Sequence, residues 1–189
     1  MIKLLSTGLL LGLLGFPAFA AFDIAQLMEA LASHPGGKAS FVETRHLALL
    51  DAPLVSRGEM RYSPPDRLEK RTLEPTPETL ILDHDRLTLE RGKQKLLIDL
   101  ASQPQAMAFV DSIRGTLAGK REALERNYAL HLAGSADDWT LSLHPSDPQI
   151  AEFVLRIDVS GSGGQVTTIE YLQADGDRSS MRITPLDTP

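Results

Sequence analysis

Five histidines, His34, His46, His84, His131 and His144, are the side chains of this sequence best suited to hold a metal or move a proton. No two stand at the short spacing that brings imidazoles onto one ion, so no metal site is read here. His131 and His144 fall on polar positions of two neighbouring alternating runs. Asp83-His84-Asp85 sets two carboxylates around an imidazole, the composition of an acid–base cluster. It lies between two short apolar runs, however, and reads as a solvated hairpin turn. Gly161-Ser162-Gly163-Gly164 places a serine among glycines, but it lacks the G-x-S-x-G frame and precedes a strand-like run rather than a helix. Asp175-Gly176-Asp177 opens like a calcium loop and lacks the remaining ligands. The sequence thus offers no catalytic residue, no metal-ligand set and no cofactor motif. What remains is the chemistry of apolar surface.

That surface is clearest between Phe153 and Ile183, where two glycine-containing turns cut the chain into three short alternating runs. Such a pattern is a meander of antiparallel strands, greasy on one face and polar on the other. Phe153, Leu155, Ile157 and Val159 alternate with more polar neighbours. Trp139, Leu141 and Leu143 alternate in the same way with Thr140, Ser142 and His144. A sheet with one greasy face must cover it.

The elements that could do so follow from periodicity. Asp23 and Gln26 form a capping box before Ile24, Leu27, Met28 and Leu31, which recur at helical spacing until Pro35-Gly36-Gly37. Strand-like runs follow at 41–50, 54–62, 68–73, 79–82, 87–90 and 94–100, each bounded by turn residues. After Pro104 the period changes. Met107, Val110, Ile113, Arg114 and Leu117 are spaced by one helical face, and Gly115 and Gly119 weaken the far end. Residues 120–127 add another turn or two, with Glu122 and Arg126 spaced for an ion pair. Strands resume at 128–133, 139–143, 153–159, 166–172 and 180–183.

The expected fold is therefore α+β and mainly β. A single antiparallel sheet this long should curl into an incomplete barrel, with helices covering its concave face and the C-terminal meander as its closing wall.

At the N-terminus, Lys3, the apolar run Leu4 to Phe19 and Ala18-Phe19-Ala20 have the order of a cleaved secretory signal, so residues 1–20 are expected to be a signal peptide and 21–189 one domain. No cysteine follows the cleavage site to carry acyl chains. The whole chain lacks cysteine, so burial alone must hold the fold. The formal charge of −6 argues against nucleic acid and against docking on anionic lipid.

Several short motifs resemble the periplasmic outer-membrane lipoprotein carrier family, with its LolA-type fold. Asp175-Gly176-Asp177-Arg178-Ser179-Ser180 is similar to the family's penultimate turn and the start of its last strand. Phe41-Val42-Glu43 stands where the family has Phe-x-Gln, Ser56-Arg57-Gly58-Glu59-Met60 resembles its second strand, and Pro65-Asp66-Arg67-Leu68 its following turn. Three departures imply a divergent branch. Pro64 replaces the arginine that latches the helical lid in the family's carriers, Lys70 replaces an aromatic, and Leu87 replaces another.

The resemblance implies a soluble, non-catalytic periplasmic carrier, without a cofactor and monomeric, that binds lipid or acylated protein in an apolar cavity. An inner-membrane exporter would supply the cargo and an outer-membrane acceptor would receive it. Phe41, Met60, Leu68, Trp139, Leu141, Phe153, Leu155 and Ile157 are expected to line the cavity, with Met107, Val110, Ile113 and Leu117 on a lid helix that acts together with Ile24 to Leu31. The other reading is a lipid-sensing regulatory module of the same fold. An enzyme is the third, and it would need a converging nucleophile and base.

Overall fold

The computed structural model describes residues 22–186; the expected signal peptide lies outside them. Eleven strands form one antiparallel sheet. They are β1 (Gly37–His46), β2 (Leu54–Ser63), β3 (Arg67–Glu74), β4 (Glu78–Asp83), β5 (Arg86–Arg91), β6 (Gln94–Asp99), β7 (Tyr128–Ser135), β8 (Asp138–Pro145), β9 (Val154–Ser162), β10 (Gln165–Gln173) and β11 (Arg178–Pro185). The helices are α1 (Ile24–Ala32), α2 (Pro104–Leu117), α3 (Arg121–Glu125) and the single turn α4 (Pro148–Ala151). The strand order is β6-β5-β4-β3-β2-β1-β11-β10-β9-β8-β7.

Two meanders thus meet at a seam between β1 and β11. The strands β9 to β11 of the expected C-terminal meander lie inside the sheet beside that seam and are not its closing wall. The reason is register: the inward positions Phe41 and Glu43 of β1 pair with Ile183 and Met181 of β11, so the first strand completes its greasy face against the last. The free edges are β6 and β7, and the chain runs from one to the other through α2 and α3.

Local chemistry sets each boundary. Asp23 caps α1 through the Gln26 amide while the Gln26 side chain returns to the Asp23 amide, a complete capping box. Pro104 opens α2, where its missing N–H costs nothing. At the other end Gly119 takes φ +62°, and the Lys120 and Gly119 amides bond back to the Gly115 and Thr116 carbonyls. That is a Schellman ending, which closes α2 rather than weakening it. In α3 the ion pair joins Arg121 to Glu125, one register from the pair expected.

The concave face is filled unevenly. On the arm from β7 to β11, Leu27, Met28 and Leu31 of α1 pack with Trp139, Leu141, Leu143, Ile157 and Val159, all buried. Each such side chain contributes roughly 1.5–3 kcal/mol. On the other arm Met60, Leu68, Leu80 and Leu87 point the same way yet are only half-buried. α1 plugs one half of the sheet and leaves the other to α2.

Candidate functional site

The half that α1 leaves unfilled is a cavity of about 490 Å³, a volume in the range of sites for small organic ligands. Met60, Leu68, Leu80, Leu82 and Leu87 form its sheet wall, and Phe109, Val110, Ile113 and Leu117 of α2 form its roof. Ile169, Met181 and Ile183 close it on the seam side. Four leucines from three adjacent strands share one wall because β3, β4 and β5 pair in register, with Leu68 opposite Leu82 and Leu82 opposite Leu87.

The roof is pinned at both arms. The Tyr128 hydroxyl on β7 donates to the Ala108 carbonyl at 3.2 Å. Burial pushes that hydroxyl up to about 12, so it stays a donor. On the opposite arm Arg114 donates to the His84 carbonyl at 2.8 Å and pairs with Asp111 at 2.6 Å and Asp85 at 3.5 Å. The Asp83-His84-Asp85 segment is a turn, as expected, but it also holds the helix. Arg114 thus ties the helix to the sheet.

One end of the cavity is polar. Glu43 is only 4% exposed and accepts from four side chains: Lys70 Nζ at 2.5 Å, Ser179 Oγ at 2.9 Å, Tyr171 Oη at 3.1 Å and Ser56 Oγ at 3.5 Å. Burial would push the Glu43 carboxyl up, but the Lys70 charge and the hydrogen bonds from Lys70, Ser179 and Tyr171 outweigh it and hold the carboxyl below its usual range. Phe109 of α2 meets the Tyr171 ring edge to face at 5.6 Å, so the roof rests on this cluster.

Of the residues expected at the site, Met60, Leu68, Val110, Ile113 and Leu117 line the cavity. Trp139, Leu141 and Ile157 are inward but fully packed in the core on the arm that α1 covers, and Phe41 is buried beneath Lys70. Met107 is half-buried at the margin of α2, away from the lining. Phe153 and Leu155 are corrections. They are 57% and 46% exposed, because β9 pairs Leu172 with Arg156 but Gln173 with Val154, leaving Leu155 as a bulge. The extra residue turns Val154 and Ile157 inward together and breaks the simple alternation.

Glu43, Lys70, Phe109 and Tyr171 were absent from the expected set. Lys70 stands out in the sequence only as a departure from the family pattern, and Glu43 only as the last residue of the Phe41-Val42-Glu43 match. His131 and His144 lie exposed and edge to face at 5.3 Å, and among the described residues no group of three His, Asp or Glu side chains could hold a metal.

A single antiparallel sheet, one half plugged by a helix and the other roofed over an apolar cavity, makes this a mainly-β α+β fold with an internal cavity. The chain belongs to the family described as outer membrane lipoprotein carrier protein LolA-like, whose model matches residues 17–184. Among solved structures it is similar to MucB (TM-score 0.51, 17% identity), covering 88% of this chain and 58% of that one. It is also similar to the MucA/MucB complex of Pseudomonas aeruginosa (0.49, 15%, covering 88% and 57%) and to a LolA superfamily protein of Nitrosomonas europaea (0.44, 10%, covering 89% and 96%). The chain therefore spans a little over half the length of MucB. At these identities the likeness concerns the fold. No curated protein matches the sequence significantly.

Proposed function

We propose that this protein is a periplasmic, non-catalytic carrier that takes a lipid or acylated cargo into the cavity beneath α2 and moves it toward the outer membrane. The observation that carries this reading is the unfilled half of the concave face, where apolar side chains of the sheet and of α2 enclose space instead of packing together. An acyl chain entering it leaves water at a gain of about 0.8 kcal/mol per methylene. Cargo must also be released. A roof that already shields part of the lining lowers net affinity, because opening α2 costs burial that cargo then restores.

Native mass spectrometry of the protein purified from periplasm tests this, with extraction of any bound lipid. A stoichiometric lipid or acylated peptide is expected. Protein free of lipid that also ignores acylated probes would overturn the reading. A regulatory module would bind the same probes, and capture of a stable protein partner instead of transfer between membranes would mark it.

A further inference from the structure

The polar end of the cavity has a donor to spare. Glu43 is saturated by Lys70, Tyr171, Ser179 and Ser56, whereas an ammonium carries three N–H groups. Among the described residues Lys70 makes one such bond, to Glu43, and otherwise lies 4.8 Å above the centre of the Phe41 ring. Its side chain is 27% exposed and faces the cavity. It is flanked on the same wall by Met60 and Leu80, its partners in register on β2 and β4.

A purely apolar wall would serve a hydrocarbon better, since placing an amine there without use costs desolvation. The sign of the site narrows the ligand. Lys70 and Glu43 together are neutral, so an anionic head would meet the buried carboxylate within a few ångströms of the ammonium. A carbonyl oxygen accepts from the free N–H groups and adds no charge.

We propose that Lys70, held in place by Glu43, is the subsite for the carbonyl that joins an acyl chain to its cargo. The cavity is then selective for ester- or amide-linked chains over free fatty acids and plain hydrocarbon. This rests on the carrier reading and names its ligand chemistry.

Binding of four probes of equal chain length to the purified protein tests it: monolauroylglycerol, N-lauroylglycinamide, the ether 1-O-dodecylglycerol and laurate. Both carbonyl probes should bind roughly tenfold tighter than the ether, the worth of one charge-assisted hydrogen bond. Laurate should be weaker than either. The double variant Glu43→Gln/Lys70→Met, which leaves no buried charge, should bind the carbonyl probes no tighter than the ether. Should only one of the two carbonyl probes show the gain, the inference stands, and that probe says whether the linkage is the ester of a glyceride or the amide of an acylated protein. Equal binding of ether and both carbonyl probes, laurate as the tightest ligand, or a preference that survives in the double variant would each overturn the inference while leaving the carrier reading intact. Failure of all four probes to bind would sink both.

Discussion

Lys70 of β3 crosses the whole of β2 to reach Glu43 of β1, closing to 2.5 Å. The crossing is possible because Gly58 stands between them on the inward face of β2, flanked by Ser56 and Met60. A methyl group at Gly58 would come within 2.9 Å of the Phe41 ring, over which Lys70 lies, and within 2.0 Å of the Arg71 carbonyl. Three positions on three strands therefore form one device. Lys70→Met should destabilise the protein by about 2–4 kcal/mol, because it strands a buried carboxylate. Glu43→Gln/Lys70→Met should recover most of that loss. Urea unfolding of the three proteins measures both effects. Equal stability of the single variant and the wild type would show that the pair is not buried in solution.

Acid should act through the same carboxylate. Its folded-state pKa lies below the unfolded value, so its contribution is complete above the ordinary glutamate range of about 4.3 and is lost as pH falls through the lower folded value. Melting temperature followed between about pH 6 and pH 3 should fall more steeply in the wild type than in Glu43→Gln/Lys70→Met. Parallel curves would mean that other carboxylates dominate acid unfolding.

Arg114 holds the roof to the β4–β5 turn by the His84 carbonyl and the Asp85 carboxylate, and Asp111 on its own helix steadies it. Arg114→Ala should cost only about 1 kcal/mol of global stability, since two of its partners are solvated. Its local effect should be larger. Amides of α2 should exchange with deuterium several-fold faster while those of α1 are unchanged, and an apolar dye should enter the cavity sooner. Arg114→Lys should restore little, because an ammonium lacks the planar fork that meets several acceptors at once. Uniform acceleration in both helices would refute a separate opening of α2.

Gly119, just past the end of α2, packs against Met28 and Ala32 of α1. Its φ of +62° disfavours a side chain, and a methyl there would stand 2.1 Å from the Met28 carbonyl. Gly119→Ala should destabilise by about 2–3 kcal/mol, from left-handed strain and displacement of α1 together. Denaturant titration would detect it. A neutral substitution would mean that α1 sits further from α2.

Much of the architecture was legible in the sequence because it rests on local rules. The capping box at Asp23, the turns at Asp83 to Asp85 and at Gly161 to Gly164, and the buried triplet Trp139, Leu141 and Leu143 each follow from spacing within a few residues. The failures lie where distant strands decide. Nothing local marks Leu155 as a bulge, since only its pairing with β10 shows the extra residue. Phe109 escaped because the face read through Met107 and Val110 is rotated. The buried side of α2 runs through Ala108, Ser112, Gly115 and Thr116, which turns Phe109 rather than Met107 toward the cavity. Glu43 and Lys70 are separated by a whole hairpin, and their union depends on the register of three strands and a missing side chain at Gly58.

The seam between β1 and β11 has a consequence for how the molecule comes into being. Ala39 pairs with Pro185 and His46 with Arg178, so the strand made first waits for the strand made last. Every other neighbouring pair in the sheet is consecutive in sequence, joined by a short loop or, between β8 and β9, by a segment carrying α4. Folding can therefore build two separate meanders, each with an unpaired border, before the joint between them. That joint closes a long loop at an entropic cost, which makes it slow. Until the last strand arrives, β1 offers an open backbone edge and Phe41 lacks its partner Ile183, so the two halves of the sheet stand apart until the whole chain is present.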